Sequence, residues 1–406
     1  MLVTLATRTF TPEPTAAALR LGALARALAA GGDRVRVLTS RLAPSVASDA
    51  RRLADGGVDA GEGAGLVEVR RAPVLRDRTG AVRGYVSYMS FDVPLVSRLL
   101  TTPRPDVVVC EPPPTTGAAV RLACAARRVP YVYYCADIVS DAAALAGVPG
   151  LVVRTVAGLE SFALRGARRV IAVSDGVARR ARDMGARDVA VVPNGVRVPE
   201  AVATGTPEGF PTCDGPVFVY AGTVAQWLAP EVFVDAFERA RARIGDARLV
   251  FVGQGSGWNE LAQRSRGVVG VELIPAVSAD EADRWMARAT ATLASLRPGG
   301  YDYAYPTKIL ASLAQGTPVI YAGRGAAARG SSTPRQTGRR HRRPAVGAAQ
   351  GSPRPPDAVT ALGAVEGFAS GTTPWVGGEG ARSWVRTHRS VEASSRTAAS
   401  VVRSAL

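Results

Sequence analysis

Val217-Phe218-Val219-Tyr220-Ala221-Gly222-Thr223 and Leu249-Val250-Phe251-Val252-Gly253-Gln254-Gly255 decide the fold. Each is a short β-branched and aromatic run that stops at glycine, which reads as a strand followed by a turn. Downstream, Thr292 to Ala294 reads as another strand, Thr307 to Gln315 as a helix, and Val319 to Tyr321 as the strand it leads into. Strands alternating with longer helical patterns mark a parallel sheet wrapped by crossover helices.

The same alternation fills the first 200 residues. Met1 to Ala6 and Val35 to Thr39 read as strands, and between them Leu21, Leu24, Ala25 and Leu28 recur at the spacing of one helix face before Gly31-Gly32 ends it. Asp106–Cys110, Tyr131–Tyr134, Val170–Val173 and Val189–Val192 follow as strands. Each runs into turn chemistry at its carboxyl end: Glu111-Pro112, Asp137, Ser174-Asp175-Gly176 and Pro193-Asn194-Gly195. In open α/β sheets ligands sit beyond those carboxyl ends, so the site is expected on these loops. Residues 197–215, rich in Pro, Gly, Thr and Glu without periodicity, are expected to link two domains.

The chain has 406 residues, 47% of them apolar, enough for two cores. No run of about 20 apolar residues and no secretory leader pattern is present, which places the protein in the cytoplasm. Cys110, Cys124, Cys135 and Cys213 show neither metal-site nor disulfide spacing and read as free thiols. His341 and His388 both lie beyond the well-patterned part, which excludes histidine catalysis and histidine-ligated metal from that part. The net charge of +16 comes almost wholly from arginine, because Lys308 is the only lysine among 50 basic residues. Without an accompanying aromatic stripe this charge does not indicate nucleic acid. It leaves room for peripheral contact with an anionic inner membrane surface.

At Gly323 the pattern stops. Residues 324–406 hold 13 Arg against 4 acidic residues, and Arg324–Pro356 has nothing to bury, so the tail is expected to be disordered or the product of a frameshift in GC-rich coding sequence. Ala358–Phe368 and Ser383–Leu406 are its only weakly helical pieces. The C-terminal domain is accordingly expected to be incomplete and under-packed on one side.

Leu296 to Lys308 is the segment richest in chemistry. Gly299, Gly300 and Tyr301 form a loop that runs into a helix opening at Pro306 or Thr307, and the first-turn N–H groups of that helix have no intrahelical partner. With the helix dipole and Lys308 in the first turn, this is a phosphate site. Asp137 closes the uncharged run Tyr131–Ala136 and reads either as an acid/base carboxylate or as the N-cap of Ile138–Ala146. Gly253 and Gly255 read either as a ligand-contacting loop or as tight turns.

Taken in order, these elements resemble family 4 of the retaining glycosyltransferases, of the bacterial cell-surface glycan type. The resemblance rests on Phe10-Thr11-Pro12-Glu13-Pro14 with Arg20, Pro105-Asp106-Val107-Val108 with Pro112-Pro113-Pro114, Val173-Ser174-Asp175-Gly176-Val177, Val192-Pro193-Asn194-Gly195-Val196, Tyr220-Ala221-Gly222-Thr223, and Pro306-Thr307-Lys308 with Ala314-Gln315-Gly316-Thr317-Pro318-Val319-Ile320. It implies the α/β fold called GT-B, two Rossmann-like domains facing each other across a cleft. Residues 1–196 would hold the acceptor domain, 216–323 a partial donor domain, and 324–406 the aberrant tail. It implies metal-independent, hexosyltransferase-type transfer from a nucleotide-diphosphate sugar, used as co-substrate without a cofactor, to a glycan, lipid-linked or small-molecule acceptor. Donor binding falls on Gly222, Thr223, Gly253, Gly255, Gly299, Gly300, Tyr301, Thr307 and Lys308, acceptor binding on Glu13 and Arg20, and catalysis on Asp137. Two departures stand out. The paired glutamates of the family fall on Tyr303 and Ala311, and Val224–Pro230 lacks the usual basic pair. The competing readings are a non-catalytic or degenerate sugar-nucleotide-binding protein and, behind it, a sugar-nucleotide epimerase.

Overall fold

A computed structural model describes residues 1–13, 15–43, 66–76, 84–145, 147–297, 299, 305–323, 372–375 and 377–406. The chain divides into two compact units, residues 1–195 with 391–406, and residues 196–390.

The first unit carries a seven-stranded sheet in the order β3-β2-β1-β4-β5-β6-β7. Its strands are β1 (Leu2–Ala6), β2 (Arg34–Ser40), β3 (Val67–Ala72), β4 (Val107–Cys110), β5 (Tyr131–Cys135), β6 (Arg169–Ala172) and β7 (Val189–Val191). Every pairing is parallel, so each connection must cross a face of the sheet, and among the described residues these crossings are helical. These helices are α1 (Ala16–Ala30), α2 (Tyr85–Thr101), α3 (Pro114–Arg127), α4 (Val139–Leu145), α5 (Gly150–Gly166) and α6 (Asp175–Asp183). Val3, Leu5, Val107, Val109 and Val132 line the core against Leu21, Leu24 and Leu28 of α1. The strand β3 and the helix α2 were not visible in the sequence pattern.

The second unit repeats the plan with the order β10-β9-β8-β11-β12-β13. It contains β8 (Val217–Ala221), α7 (Val232–Ile244), β9 (Arg248–Gly253), α8 (Trp258–Arg264), β10 (Val271–Pro275), α9 (Ala279–Arg288), β11 (Ala291–Ser295), α10 (Thr307–Ala314), β12 (Val319–Ala322), β13 (Thr372–Trp375) and α11 (Glu379–His388). Phe218, Tyr220, Phe233, Phe237 and Phe251 fill its core. Both units are Rossmann-like.

The expected interdomain linker is instead part of this second unit. Phe210 packs on Trp285 with ring centroids 5.2 Å apart, and the Ala203 N–H donates to Gln315 Oε1 at 3.0 Å.

The tail also departs from expectation. Residues 324–371, including the helical piece Ala358–Phe368, lie outside the described residues. Beyond them β13 adds antiparallel to β12, where the sheet edge would otherwise carry unpaired backbone. Arg382 of α11 is buried and donates to Ala314 O at 2.8 Å and to Pro199 O at 2.6 Å, satisfying a carbonyl orphaned at the end of α10. The final helix α12 (Val391–Arg403) belongs to the first unit, where Ala398, Ala399, Val402 and Ala405 pack on α1 and Arg403 pairs with Asp33 at 2.8 Å. The readings of a disordered or frameshifted segment and of an under-packed domain are therefore corrected for residues 372–406. Small apolar residues at helical spacing bury well against alanine-rich α1 although they look weak in sequence.

Val402→Ala is expected to destabilise the first unit by about 2 kcal/mol, from two buried carbon groups at about 0.8 kcal/mol each plus a cavity term. A urea midpoint unchanged from wild type would show that α12 contributes nothing to that core.

Candidate active site

The order of strands in each sheet places a switch point beside one strand, β1 in the first unit and β8 in the second. Chains leave the two strands flanking such a point in opposite directions, so the loops beyond their carboxyl ends open a crevice.

In the second unit the flanking strands are β8 and β11. The β8 loop starts at Gly222, with φ +113°, and a Cβ there would sit 2.6 Å from Lys308 Nζ. Lys308 is the second residue of α10, whose N-cap is Pro306 and makes no side-chain capping bond, so first-turn N–H groups are left for a ligand. Its ammonium donates to Ala221 O at 3.1 Å and lies 4.6 Å from the centre of the Tyr220 ring. Lys308 is half-buried and meets no carboxylate among its described contacts, and burial lowers its pKa to about 7.

The glycines of the next loop have a steric reason. A Cβ on Gly253 would lie 2.0 Å from Gly222 O, and one on Gly255 1.9 Å from Val224 O. The two loops are laced by Gly222 N to Val252 O at 2.8 Å and Val224 N to Gln254 O at 2.9 Å. These glycines thus permit the close backbone approach of the two loops and hold Gly222 and Thr223 in place. Gly299 lies on the β11 loop with φ +101°, while Gly300 and Tyr301 lie outside the described residues.

Arg297 belongs to none of the sequence motifs. Its N–H donates to Trp227 O at 2.8 Å, its Nε to Gln226 O at 2.9 Å, and its NH2 pairs with Glu231 at 3.1 Å. A guanidinium from the β11 loop is thereby fixed on Val224–Pro230, the stretch that has no basic residue of its own. No local motif announces it, because the contact crosses the switch point between segments 70 residues apart.

In the first unit the switch point lies between β1 and β4. Glu111, buried after β4, accepts from Thr7 Oγ1 at 2.8 Å and from Arg20 NH2 at 2.8 Å. Arg20 also lies 5.1 Å from the Tyr134 ring centre. Burial works to lower its pKa, but Glu111, Tyr134 and Asp137 together raise it, so Arg20 stays charged. Glu13 is buried and accepts from the Phe10 N–H at 3.0 Å, with Arg76 at 3.5 Å, so it closes its own loop.

Asp137 stands exposed beyond β5, within electrostatic reach of Arg20. The cap of α4 comes from elsewhere: Glu160 of α5, fully buried, accepts from the Val139 N–H at 2.8 Å, the Ser140 N–H at 3.1 Å and Ser140 Oγ at 2.7 Å. The N-cap reading of Asp137 is corrected on this point, since the first-turn donors of α4 already have a carboxylate. Burial raises the Glu160 pKa against these three bonds. No local pattern marks Glu160, because it caps a helix 20 residues upstream.

The cysteines are unpaired, and burial raises the thiols of Cys110, Cys124 and Cys135. His341 lies outside the described residues, and His388 stacks on Trp384. Among the described residues no group of three His, Cys, Asp or Glu could hold a metal, and no helix is long and apolar enough to cross a membrane.

Comparison with known structures agrees with this architecture. HepE of Anabaena, solved with UDP and glucose, superposes with a TM-score of 0.62 at 14% identity over 99% of each chain. Sucrose-phosphate synthase of Thermosynechococcus elongatus gives 0.66 at 15% identity over 100% of this chain and 98% of its own. UDP-GlcNAc 2-epimerase of Methanocaldococcus jannaschii gives 0.52 at 10% identity over 100% of both. At such identities the likeness concerns the fold alone. No curated protein matches the chain by sequence. Family models are more specific: residues 15–195 match the glycosyl transferase 4-like domain and residues 215–338 match glycosyl transferases group 1. The first model spans strands β2 to β7 and the second β8 to β12, and the chain accordingly belongs to the two-domain GT-B glycosyltransferases of family 4.

Proposed function

We propose that the chain moves a hexose, with retention and without a metal, from a nucleoside-diphosphate sugar to a glycan, lipid-linked or small-molecule acceptor. The observation that carries this reading is Lys308 at the mouth of α10, reaching Ala221 O beside the Gly222–Thr223 turn. A lysine kept near neutrality by burial, next to free helix N–H groups, gains its charge when a diphosphate arrives and stabilises that group as it leaves. Arg297 on the neighbouring loop supplies a second cation, and Gly299 and Thr307 lie on the donor side. On the first unit, Arg20 and Glu111 form the floor on which an acceptor hydroxyl meets Asp137, with Glu160 holding the turn that carries it. The HepE structure, which contains UDP and glucose, supports a uridine nucleotide as the first donor to try.

A thermal-shift series with UDP, ADP and GDP tests the donor half directly. A bound nucleotide at about 100 times its dissociation constant adds about 2.7 kcal/mol of stability. Binding without any sugar transfer would favour a degenerate binding protein, and interconversion of the donor sugar without acceptor would favour an epimerase. Retention is read from the anomeric configuration of the product by NMR, and metal independence from turnover that persists in EDTA.

Lys308→Ala is expected to weaken nucleoside-diphosphate binding by about 1.5 to 3 kcal/mol, the range for a charge-assisted contact. Calorimetry showing no change would remove Lys308 from the donor site. The pH dependence has a definite sign. The folded chain releases this proton near pH 7 and the unfolded chain near 10.5, so between these values the unfolded state binds more protons and stability rises with pH. Nucleotide affinity, which needs the charged form, holds below pH 7 and falls above it, whereas in Lys308→Met both trends flatten. Asp137→Asn should leave nucleotide binding intact and lower turnover by roughly 100-fold or more. Equal losses of binding and turnover would point to a structural role.

A further inference from the structure

Helices α2, α3 and α5 pack side by side on the first unit, α2 against α3 and α3 against α5. Their outward surface has an unusual composition. Val86 and Val93 of α2 are 72% and 60% exposed, Leu151 of α5 is 70% exposed, and Met89, Leu122 and Phe162 are exposed beside them. Val86, Met89 and Val93 recur at i, i+3 and i+7, one stripe of a helix surface. The three helices contain only two acidic residues, Asp92 and Glu160, and both are buried. They carry five arginines, Arg98, Arg121, Arg127, Arg154 and Arg165, and none pairs with a described carboxylate. Arg98 donates to Arg70 O at 2.8 Å, Arg127 to Thr102 O at 2.8 Å, and Arg121 to Phe162 O while stacking 3.9 Å from that ring. Backbone carbonyls hold these guanidiniums without cancelling their charge.

Helices α6 and α9, by contrast, are mixed in sign: α6 carries Asp175 and Asp183 among its arginines, and α9 carries Asp280, Glu281 and Asp283 beside Arg284 and Arg288. A layer that is at once apolar, cationic and free of exposed carboxylate suits a surface that offers anions above a hydrocarbon phase. A polyanion in water would use the arginines but leave Val86, Val93 and Leu151 wet, and a neutral protein face would leave five charges uncompensated. We propose that the α2–α3–α5 face docks on a bilayer rich in anionic lipid, lying in the interface with the α2 stripe among the acyl chains and the arginines at the headgroups. Docking of this kind is peripheral and reversible, and it does not depend on the transfer reaction proposed above.

The test is co-sedimentation of the full chain with sucrose-loaded vesicles of phosphatidylcholine alone or mixed with phosphatidylglycerol. Wild type should sediment only with the phosphatidylglycerol vesicles and less so at high salt. Val86→Asp with Val93→Asp should abolish this. Arg121→Glu with Arg154→Glu should weaken it by roughly fivefold or more for each charge reversed. The control pair Arg179→Glu and Arg182→Glu, on α6, makes the same change in net charge and should retain binding. All substituted residues except Arg121 are exposed, and circular dichroism melting confirms that each variant is folded. The proposal is overturned if wild type ignores phosphatidylglycerol vesicles, or if the control pair loses as much binding as the α3–α5 pair. It is equally overturned if sedimentation velocity finds a dimer that Val93→Asp disperses while no vesicle is bound, which would make the face a contact between two copies.

Discussion

Parallel pairing is the constraint from which the rest of this structure follows. Two parallel strands cannot be joined by a tight turn, so the chain must climb back over the sheet after each of them, and the carboxyl ends of β1 to β7, and of β8 to β12, emerge on one edge of their sheet. That edge gathers residues remote in sequence. Thr7, Glu111 and Asp137 meet around Arg20 on one sheet, and Gly222, Gly253, Arg297 and Lys308 meet on the other. The chemistry is a consequence of topology before it is a consequence of side chains.

Within that frame the two edges use charge differently. In the first unit Arg20 is compensated by buried Glu111, so its charge is permanent and structural. In the second unit Lys308 is surrounded by a carbonyl and an aromatic face, which attract an ammonium but do not neutralise it. Burial therefore pushes it toward the neutral form. A lysine can respond in this way where an arginine cannot, which gives a physical reason for one lysine among 50 basic residues. Arg297, half exposed, is paired instead to Glu231.

The C-terminal segment shows how a weak local signal becomes a firm structural element. Val391–Arg403 is built from alanine, serine and valine, with little that looks like a core. Its partner α1 is itself alanine-rich, so the two helices bury small side chains against each other, and Arg403 reaches Asp33 at the end of α1. Arg382 likewise matters only because α10 ends beside it with an open carbonyl. Neither contact can be inferred from its own neighbourhood in the chain.

The sequence by itself determined the two sheets, most strand positions, the glycine-lined turns and the singular Lys308, because these depend on local periodicity and on residues with few conformational alternatives. It also carried the motif order that marks the family. Only the tertiary structure decided that residues 197–215 and 372–406 are folded, that Glu160 rather than Asp137 caps α4, and that Gly253 and Gly255 serve loop packing. It also decided that Arg297 is held against Val224–Pro230 by Gln226, Trp227 and Glu231, and that α2, α3 and α5 lie side by side. Each of these rests on contacts between segments tens or hundreds of residues apart, where a side chain's meaning is set by what the fold places opposite it. A periodic pattern reports which face of an element is buried, and says nothing about the partner that buries it.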